Sequence, residues 1–234
     1  MRALKAAPGG GASNGGVPRA PPAMIFQDRL DAADQLATAL AHYRDRQALV
    51  LAIPRGAVAM GQRIAQRLGA DFDLVLVRKL RAPFSPEFAV GAVDETGWCW
   101  LSPHAHEVGA DPGYLAGERA RQLDELHRRR LAYCGGRPPA DAAGRLAIVV
   151  DDGLATGATM IAALHAVRAQ APARLVCAVP VGARESLETV SAFADEVVCL
   201  HRPALFGAVG AFYRDFRQVD DAEVAALLGL REPS

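Results

Sequence analysis

Residues 146–159 read LAIVVDDGLATGAT, and this stretch decides the fold. Its first five residues are apolar and three of them are β-branched, which predicts a short strand buried on both faces of a parallel sheet. Two carboxylates, Asp151 and Asp152, follow the strand directly, and a turn of small residues then opens a helix near Ala158. Ligands of open α/β sheets bind outside the carboxyl ends of the strands, so the sequence predicts a binding site here.

The turn after the strand has the chemistry of an anion site. The main-chain N–H groups from Ala155 to Thr159 lie at a predicted helix N-terminus, where free amides and the helix dipole favour a phosphate. Gly157 allows close approach of the main chain, and the hydroxyls of Thr156 and Thr159 add donors. The two carboxylates are acceptors that suit sugar hydroxyls or hydrated Mg2+. The stretch therefore predicts a sugar phosphate as ligand.

This stretch resembles the motif of the type I phosphoribosyltransferases that binds 5-phosphoribosyl-1-pyrophosphate (PRPP). In that family an apolar strand and two acidic residues precede a turn ending Thr-Gly-x-Thr. The resemblance implies that Asp151 and Asp152 hold the ribose hydroxyls. It also implies that the 5'-phosphate is held by the turn, through Ala155, Thr156, Gly157, Ala158 and Thr159. The alternative is an ordinary strand–helix connection with a solvated Asp-Asp turn.

Two further segments match the same family by position. Pro54-Arg55-Gly56-Ala57 lies where these enzymes hold pyrophosphate with main-chain amides, and Arg55 adds a cation for an oxyanion. Arg78-Lys79 resembles the Arg-Lys pair with which the orotate and adenine enzymes contact PRPP. Each segment alone could be an ordinary connection or a pair of solvated charges. We expect both to leave the same sheet edge as the central turn, in the chain order of the family.

Strands and helices alternate along the chain, which predicts a single α/β domain with a mainly parallel sheet and helices on both faces. Predicted helices cover residues 28–43, 58–68, 111–133 and 184–194, with others opening at 158 and ending at 230. Predicted strands of the sheet cover residues 48–53, 72–77, 146–150, 175–179 and 196–200. Residues 81–87 correspond to the mobile loop of the family, and residues 88–93 and 98–101 predict a β-hairpin.

Residues 201–216, called the hood segment below, combine glycines with aromatic residues near the end of the chain. The segment loosely resembles the small C-terminal hood of the hypoxanthine-type enzymes, where an aromatic ring stacks on the purine. The resemblance makes Phe206 the first candidate for stacking on an acceptor, with Asp215 as a second candidate for contact. The alternative is that the aromatic rings pack the end of the sheet.

The composition limits the partners of this 234-residue chain. Lys plus Arg equal Asp plus Glu at 26 each, which argues against a generally basic nucleic-acid binder. No apolar run reaches the roughly 20 residues that span a bilayer. Four widely spaced cysteines indicate reduced thiols in a cytoplasmic protein. Residues 1–23 are rich in Gly, Pro and Ala, which predicts a disordered tail before a domain at residues 24–234.

A protein metal site is not expected. His104 and His106 could pair as ligands with Cys99 nearby, but their loop has no further ligand at zinc spacing. Mg2+ is instead expected to arrive with PRPP, supported by Asp151 and Asp152, as the family resemblance implies.

The resemblance predicts transfer of the phosphoribosyl group from PRPP to a nitrogenous base or related acceptor, by a protein that could be a homodimer. Hypoxanthine-type enzymes have an Asp directly before the Thr-Gly, where this chain has Ala155, so purine transfer with a carboxylate base is not expected. One alternative is a non-catalytic regulator of the same fold that binds PRPP or a nucleotide. Another is a phosphatase of the haloacid dehalogenase type, but that motif requires an Asp-x-Asp spacing that Asp151-Asp152-Gly153 lacks.

Overall fold

The computed structural model describes residues 26–229, apart from the side chains of Pro86 and Glu87. The predicted disordered tail at residues 1–23 and the predicted helix end at residue 230 lie outside the described residues. Phe26 pairs with Tyr213 in an isolated parallel bridge, so the first described residues lie beside the hood segment.

Within residues 26–229, eight strands form two sheets. In chain order the strands are β1 (Leu49–Ala52), β2 (Asp71–Leu74), β3 (Val77–Ala82), β4 (Ser85–Asp94), β5 (Cys99–Leu101), β6 (Leu146–Val150), β7 (Arg174–Val181) and β8 (Glu196–His201). The main sheet has the order β2-β1-β6-β7-β8, and all of its neighbouring strands are parallel. This topology confirms the predicted α/β fold and places β6, the strand of the decisive stretch, in the middle of the sheet.

Helices cover both faces of the main sheet. They are α1 (Arg29–Ala39), α2 (Val58–Leu68), α3 (Pro112–Cys134), α4 (Ala158–Arg168), α5 (Arg184–Ser191) and α6 (Asp221–Leu227), with short 3-10 helices at Ala41–Tyr43, His106–Val108 and Val209–Phe212. Ile148 and Val150 of β6 face a core shared with α1 and α2, whereas Ala147 and Val149 face a core shared with α4 and α5. Burial on both faces explains the unbroken apolar run of β6.

The second sheet is antiparallel and corrects one sequence prediction. Its order is β3-β4-β5, and its first strand contains Arg78 and Lys79. The predicted strand at residues 72–77 is therefore two elements, because β2 ends at Leu74 and β3 begins at Val77. Residues 74–77 are all buried, so the apolar pattern continues across the break between the two sheets. Arg78 and Lys79 thus lie inside an antiparallel strand and not at the end of a strand of the main sheet.

The hairpin prediction is confirmed, and the predicted mobile loop belongs to the same sheet. β4 and β5 are antiparallel and are joined by a turn in which the N–H of Gly97 donates to the carbonyl of Asp94 at 3.0 Å. Residues 81–87, predicted as a loop, contain the end of β3, a tight turn and the start of β4. In the part of the chain that the structure describes, no helix is long and apolar enough to cross a membrane.

Close packing of α2 on the sheet gives a testable prediction about stability. A Cβ added at Gly61 would lie 2.8 Å from Cβ of Ala52 and 2.7 Å from the ring of Phe72. We expect Gly61→Ala to lower the free energy of unfolding by about 1–3 kcal/mol, because overpacking exceeds the gain in helix propensity. Gly117 in α3 has open space at its Cβ position, so Gly117→Ala should raise the free energy of unfolding by up to about 1 kcal/mol. Urea denaturation measures the free energy of unfolding of both variants. Equal changes in the two variants would contradict the close packing at Gly61.

Candidate functional site

Asp151 and Asp152 lie directly beyond the carboxyl end of β6, as predicted. Both are partly exposed, and the Oδ1 of Asp151 accepts a hydrogen bond from the N–H of Asp152 at 2.8 Å. Burial raises the pKa of both carboxyl groups, and the nearby charge of Asp152 raises the pKa of Asp151 further. Lys79 opposes both shifts by favouring the ionised forms. The pair is therefore an acceptor site whose charge is only partly neutralised by the protein.

Arg29, the first residue of α1, contacts this pair, and no sequence motif predicted it. Its Nε donates to Oδ2 of Asp152 at 2.9 Å, and its Nη1 donates to the carbonyl of Arg217 at 2.8 Å. The guanidinium carbon also lies 3.9 Å from the centre of the Phe216 ring. Arg29 and Asp152 are 123 positions apart, so no local pattern marks the contact.

The turn after the carboxylates is fixed by β7 and α5. The N–H of Leu154 donates to the carbonyl of Val181 at 2.9 Å, and the N–H of Ala183 donates to the carbonyl of Leu154 at 2.9 Å. Gly157 has φ of 80°, and a Cβ there would lie 3.1 Å from Val190, so this position requires glycine. These contacts hold the turn without using its outward-facing amides.

The outward amides of the turn line a cavity of about 310 Å³, called the loop cavity below. Within residues 26–229, no acceptor takes the main-chain N–H groups of residues 155–158. Thr156 is exposed and Thr159 is half-buried, and both line the cavity together with the carboxylates. Lys79, Arg29 and Phe216 also line the cavity. Of the predicted phosphate-binding residues, Ala155, Thr156, Gly157 and Thr159 therefore line the cavity, whereas Ala158 is buried at the start of α4 and does not line it.

The loop between β1 and α2 meets the carboxylates closely. A Cβ added at Gly56 would lie 2.2 Å from Oδ2 of Asp152, so only glycine lets this loop approach so far. The peptide bond between Pro54 and Arg55 is cis. Arg55 extends beside Asp221 of α6, with its Nη1 3.3 Å from Oδ1. The predicted Arg55-Gly56 segment is thus adjacent to the carboxylate pair.

A second cavity of about 350 Å³, called the cationic cavity below, adjoins the loop cavity through Lys79 and Thr159. Its lining includes five cations, namely Arg55, Arg78, Lys79, Arg81 and Arg129. Burial lowers the pKa of Arg78, and the charge of Arg129 lowers it further, as expected where like charges converge. Three of these cations were predicted from the sequence. Arg81 and Arg129 were missed because β3 and α3 bring them together across 48 positions of chain, from 81 to 129.

The hood segment supplies a different aromatic ring from the predicted one. Phe216 lines the loop cavity, whereas Phe206 packs on Phe212 with ring centres 5.5 Å apart. The hydroxyl of Tyr213 donates to the main-chain carbonyl of Asp152 at 2.6 Å. Burial raises the pKa of Tyr213, so the phenol stays protonated and able to donate. Spacing alone does not distinguish these rings, because the hood segment is irregular.

The histidines considered as metal ligands lie elsewhere. The Nδ1 of His104 is 3.1 Å from Glu107 in an exposed loop. Among the described residues, no group of three or more His, Cys, Asp or Glu side chains is placed to hold a metal ion.

The raised pKa values of the carboxylate pair predict an unusual pH dependence. A folded-state pKa above the unfolded value means that the folded protein loses stability as pH rises from the unfolded pKa, about 4, through the folded pKa. Asp151→Asn keeps the hydrogen-bond acceptor but removes the charge, so it should raise the free energy of unfolding at pH 7.5. The gain should shrink as the pH falls and be lost below about pH 4, where Asp151 is neutral in both the folded and the unfolded state.

Asp195 provides a control of opposite sign. Its pKa is lowered, mainly by a hydrogen bond from Arg168, so its ionised form stabilises the folded state. Asp195→Asn should therefore lower the free energy of unfolding at pH 7.5. Urea denaturation from pH 4 to 8 tests both variants, and a loss of stability in Asp151→Asn at pH 7.5 would contradict the expected repulsion between the carboxylates.

The comparisons with known proteins agree with this geometry. A sequence profile described as the phosphoribosyl transferase domain matches residues 25–217. Two Mycobacterium tuberculosis proteins, named "Putative phosphoribosyl transferase" MT0597 (strain CDC 1551 / Oshkosh) and Rv0571c (strain ATCC 25618 / H37Rv), are each 42% identical over 205 residues. These alignments cover 87% of this chain and 46% of each relative, so the chain spans about half the length of the curated relatives it matches.

A solved structure is also similar. TT1426 from Thermus thermophilus, known from its crystal structure, is 48% identical with a TM-score of 0.73, and the match covers 88% of this chain and 98% of that chain. Because the profile extends over most of the sequence, the chain belongs to the phosphoribosyl transferase domain family.

Proposed function

We propose that this protein transfers the 5-phosphoribosyl group from PRPP to a nucleophilic acceptor and releases pyrophosphate. The observation that carries the proposal is that the carboxylate pair and the turn with free amides line one cavity, which adjoins a cationic cavity through Lys79 and Thr159. PRPP has a monophosphate at one end, ribose hydroxyls in the middle and a pyrophosphate at C1. The two cavities and the pair offer complementary groups in that order.

Each part of PRPP has a matching set of residues. The free amides of residues 155–157, with the hydroxyls of Thr156 and Thr159, suit the 5'-phosphate. Asp151 and Asp152 accept from the ribose hydroxyls. The pyrophosphate lies in the cationic cavity, where Lys79 bridges the two cavities. Arg55 borders that cavity from the β1–α2 loop, and its neighbour Gly56 brings the loop against Asp152.

The donor set fits Mg2+ that arrives with PRPP. Two partly exposed carboxylates are hard oxygen ligands, and their raised pKa values are those of a pair whose negative charge the protein only partly neutralises. When bound, Mg2+ would neutralise charge on the pyrophosphate. Asp151 and Asp152 are the residues that would support it, through water or directly.

The residues would act mainly by position and charge. The loop cavity and the carboxylates hold the ribose while the acceptor approaches C1. The reaction of two bound molecules is then effectively unimolecular, which lowers its entropic barrier. The cations of the second cavity stabilise the negative charge that develops as the bond from C1 to pyrophosphate breaks. Tyr213 holds the main chain of Asp152 through its hydroxyl and so fixes the carboxylate in place.

The relatives named as phosphoribosyl transferases support the general activity. A homodimer and a cytoplasmic location remain part of the proposal, the latter because all four cysteines are free thiols. The acceptor is considered in the next subsection.

Binding of PRPP with Mg2+ tests the proposed site. Replacing both carboxylates, as in Asp151→Asn with Asp152→Asn, should cost about 2–5 kcal/mol of binding free energy, which is at least a roughly thirty-fold rise in Kd. The cause is the loss of two charged acceptors for the hydroxyls and for Mg2+. Isothermal titration calorimetry measures the Kd, and Asp195→Asn serves as a control carboxylate outside the cavities. Equal affinity in wild type and double variant would refute the site.

Turnover distinguishes a transferase from a non-catalytic regulator of the same fold. The regulator is the alternative because this chain has Ala155 where hypoxanthine-type enzymes have an acidic residue. The protein is incubated with PRPP, Mg2+ and a panel of ring acceptors, and pyrophosphate is measured. We expect acceptor-dependent release. Tight PRPP binding without release for any acceptor would favour the regulator.

A further inference from the structure

A third and larger cavity adjoins the proposed PRPP site, and the proposed function does not use it. This cavity, called the hood cavity, measures about 560 Å³ and lies between the start of α1, the chain after the hood segment, and α6. Apolar side chains form much of its wall, including Leu30, Ala59, Val219 and Leu227. Leu30 and Leu227 are 47% and 40% exposed, and together they mark an apolar surface that a ligand could cover.

The three cavities meet around Arg29 and Arg55. Arg55 borders both the cationic cavity and the hood cavity, and Arg29 borders both the loop cavity and the hood cavity. The β1–α2 loop, which carries Arg55, is thus a wall shared by the hood cavity and the cationic cavity. A nucleophile in the hood cavity would approach the ribose beside Arg29, on a side different from that of the leaving pyrophosphate.

Arg29 offers a free donor at this junction. Its Nε and Nη1 bond to Asp152 and to the carbonyl of Arg217, but Nη2 has no acceptor within residues 26–229. No buried side-chain nitrogen or oxygen of the described residues lacks a partner, so Nη2 is not fully buried. Arg29 lines both the loop cavity and the hood cavity. The guanidinium is held in place by Phe216 beneath it. A fixed cation with an open donor is a binding group for an anion.

Each carboxylate of the hood cavity accepts at least one hydrogen bond from the protein itself. Asp28 caps α1 by accepting from the N–H groups of Leu30 and Asp31. Asp215 accepts from the N–H of Arg217, and Glu223 accepts from the N–H of Asp220 while pairing with the Arg217 side chain. These bonds hold α1, the hood segment and α6 in place, and an acceptor whose ring nitrogen carries no proton needs none of these carboxylates as a base.

We propose that the hood cavity binds the acceptor, that the acceptor is a carboxylate-bearing ring compound, and that Arg29 is the residue that selects it. This inference rests on the proposed function. The carboxylate of the acceptor would bind Nη2 of Arg29, and its ring would cover the apolar wall. The attacking ring nitrogen would use a lone pair and carry no proton. A bond from that nitrogen to C1 forms as the bond from C1 to the pyrophosphate oxygen breaks, and pyrophosphate leaves with the electron pair.

Matched acids and amides test the selection. The probes are nicotinic acid with nicotinamide, picolinic acid with picolinamide, and pyrazinoic acid with pyrazinamide. Each ring has an unprotonated nitrogen, and each pair differs in charge but little in shape. Calorimetry measures the binding of each probe to protein that is saturated with Mg2+ and ribose 5-phosphate. Ribose 5-phosphate fills the loop cavity but cannot react, because it has no pyrophosphate at C1. We expect at least one acid to bind about tenfold or more tighter than its amide. Pyrophosphate release from PRPP should show the same preference.

Variants assign the preference to Arg29. Arg29→Met should reduce the ratio of acid to amide affinity to near one, and Arg29→Lys should retain part of it. Arg63→Met is the matched control, because Arg63 forms a two-bond ion pair with Asp34 away from the cavities and should leave the ratio unchanged. Circular dichroism verifies that each variant is folded.

The outcomes separate this inference from the proposed function. If PRPP and ribose 5-phosphate bind to the wild type but every acid binds no better than its amide, or not at all, the acceptor inference is overturned and the PRPP site stands. An acid preference that persists in Arg29→Met also overturns it. If neither PRPP nor ribose 5-phosphate binds, the proposed function itself fails.

Discussion

The ion pair between Arg29 and Asp152 joins the start of the described chain to the end of its central strand. Two neighbouring carboxylates at the rim of a sheet are costly, because burial and mutual repulsion both disfavour their charged forms. Arg29 offsets part of that cost from one side, and Lys79 offsets part from the other. The remaining charge leaves the pair able to bind a ligand. α1 supplies Arg29, β3 supplies Lys79, and the hood segment supplies Phe216, whose ring packs against the Arg29 guanidinium.

The turn after the carboxylates depends on the same strand but is stabilised by its other neighbours. Leu154 pairs with Gly182 in a parallel bridge, so β7 extends its pairing past the carboxylates and into the turn. Val209 of the hood segment packs on Gly153, where a Cβ would lie 2.4 Å from Cγ1 of Val209. Main-chain bonds on the inside of the turn leave the outside amides free. The glycines are therefore required by packing at residue 153 and by backbone conformation at residue 157.

The parts of the site that are local in sequence were predictable, and the parts formed by distant segments were not. The stretch from β6 into α4 carries its strand, carboxylates and turn within fourteen residues, so pattern and chemistry coincide. Periodicity also indicated α2, and the alternation of strands and helices indicated a mainly parallel sheet. The break between β2 and β3 escaped detection because burial is continuous across it. Arg29 escaped because a charged residue opening a helix usually indicates a solvated face, and its partner is far away in the chain. Phe206 was preferred to Phe216 because composition does not show which ring of an irregular segment faces a cavity.

The hood is built from both ends of the described chain, and this has a consequence for binding. The N–H of Arg214 donates to the carbonyl of Phe26 at 2.9 Å, and the N–H of Asp215 donates to the carbonyl of Gln27 at 2.8 Å. Tyr213, between these contacts and the core, donates to Asp152. The segment that carries Arg29, the hood segment and Asp152 are thus one hydrogen-bonded unit. Arg29 lines both the loop cavity and the hood cavity, and it is therefore oriented by contacts from both ends of the described chain.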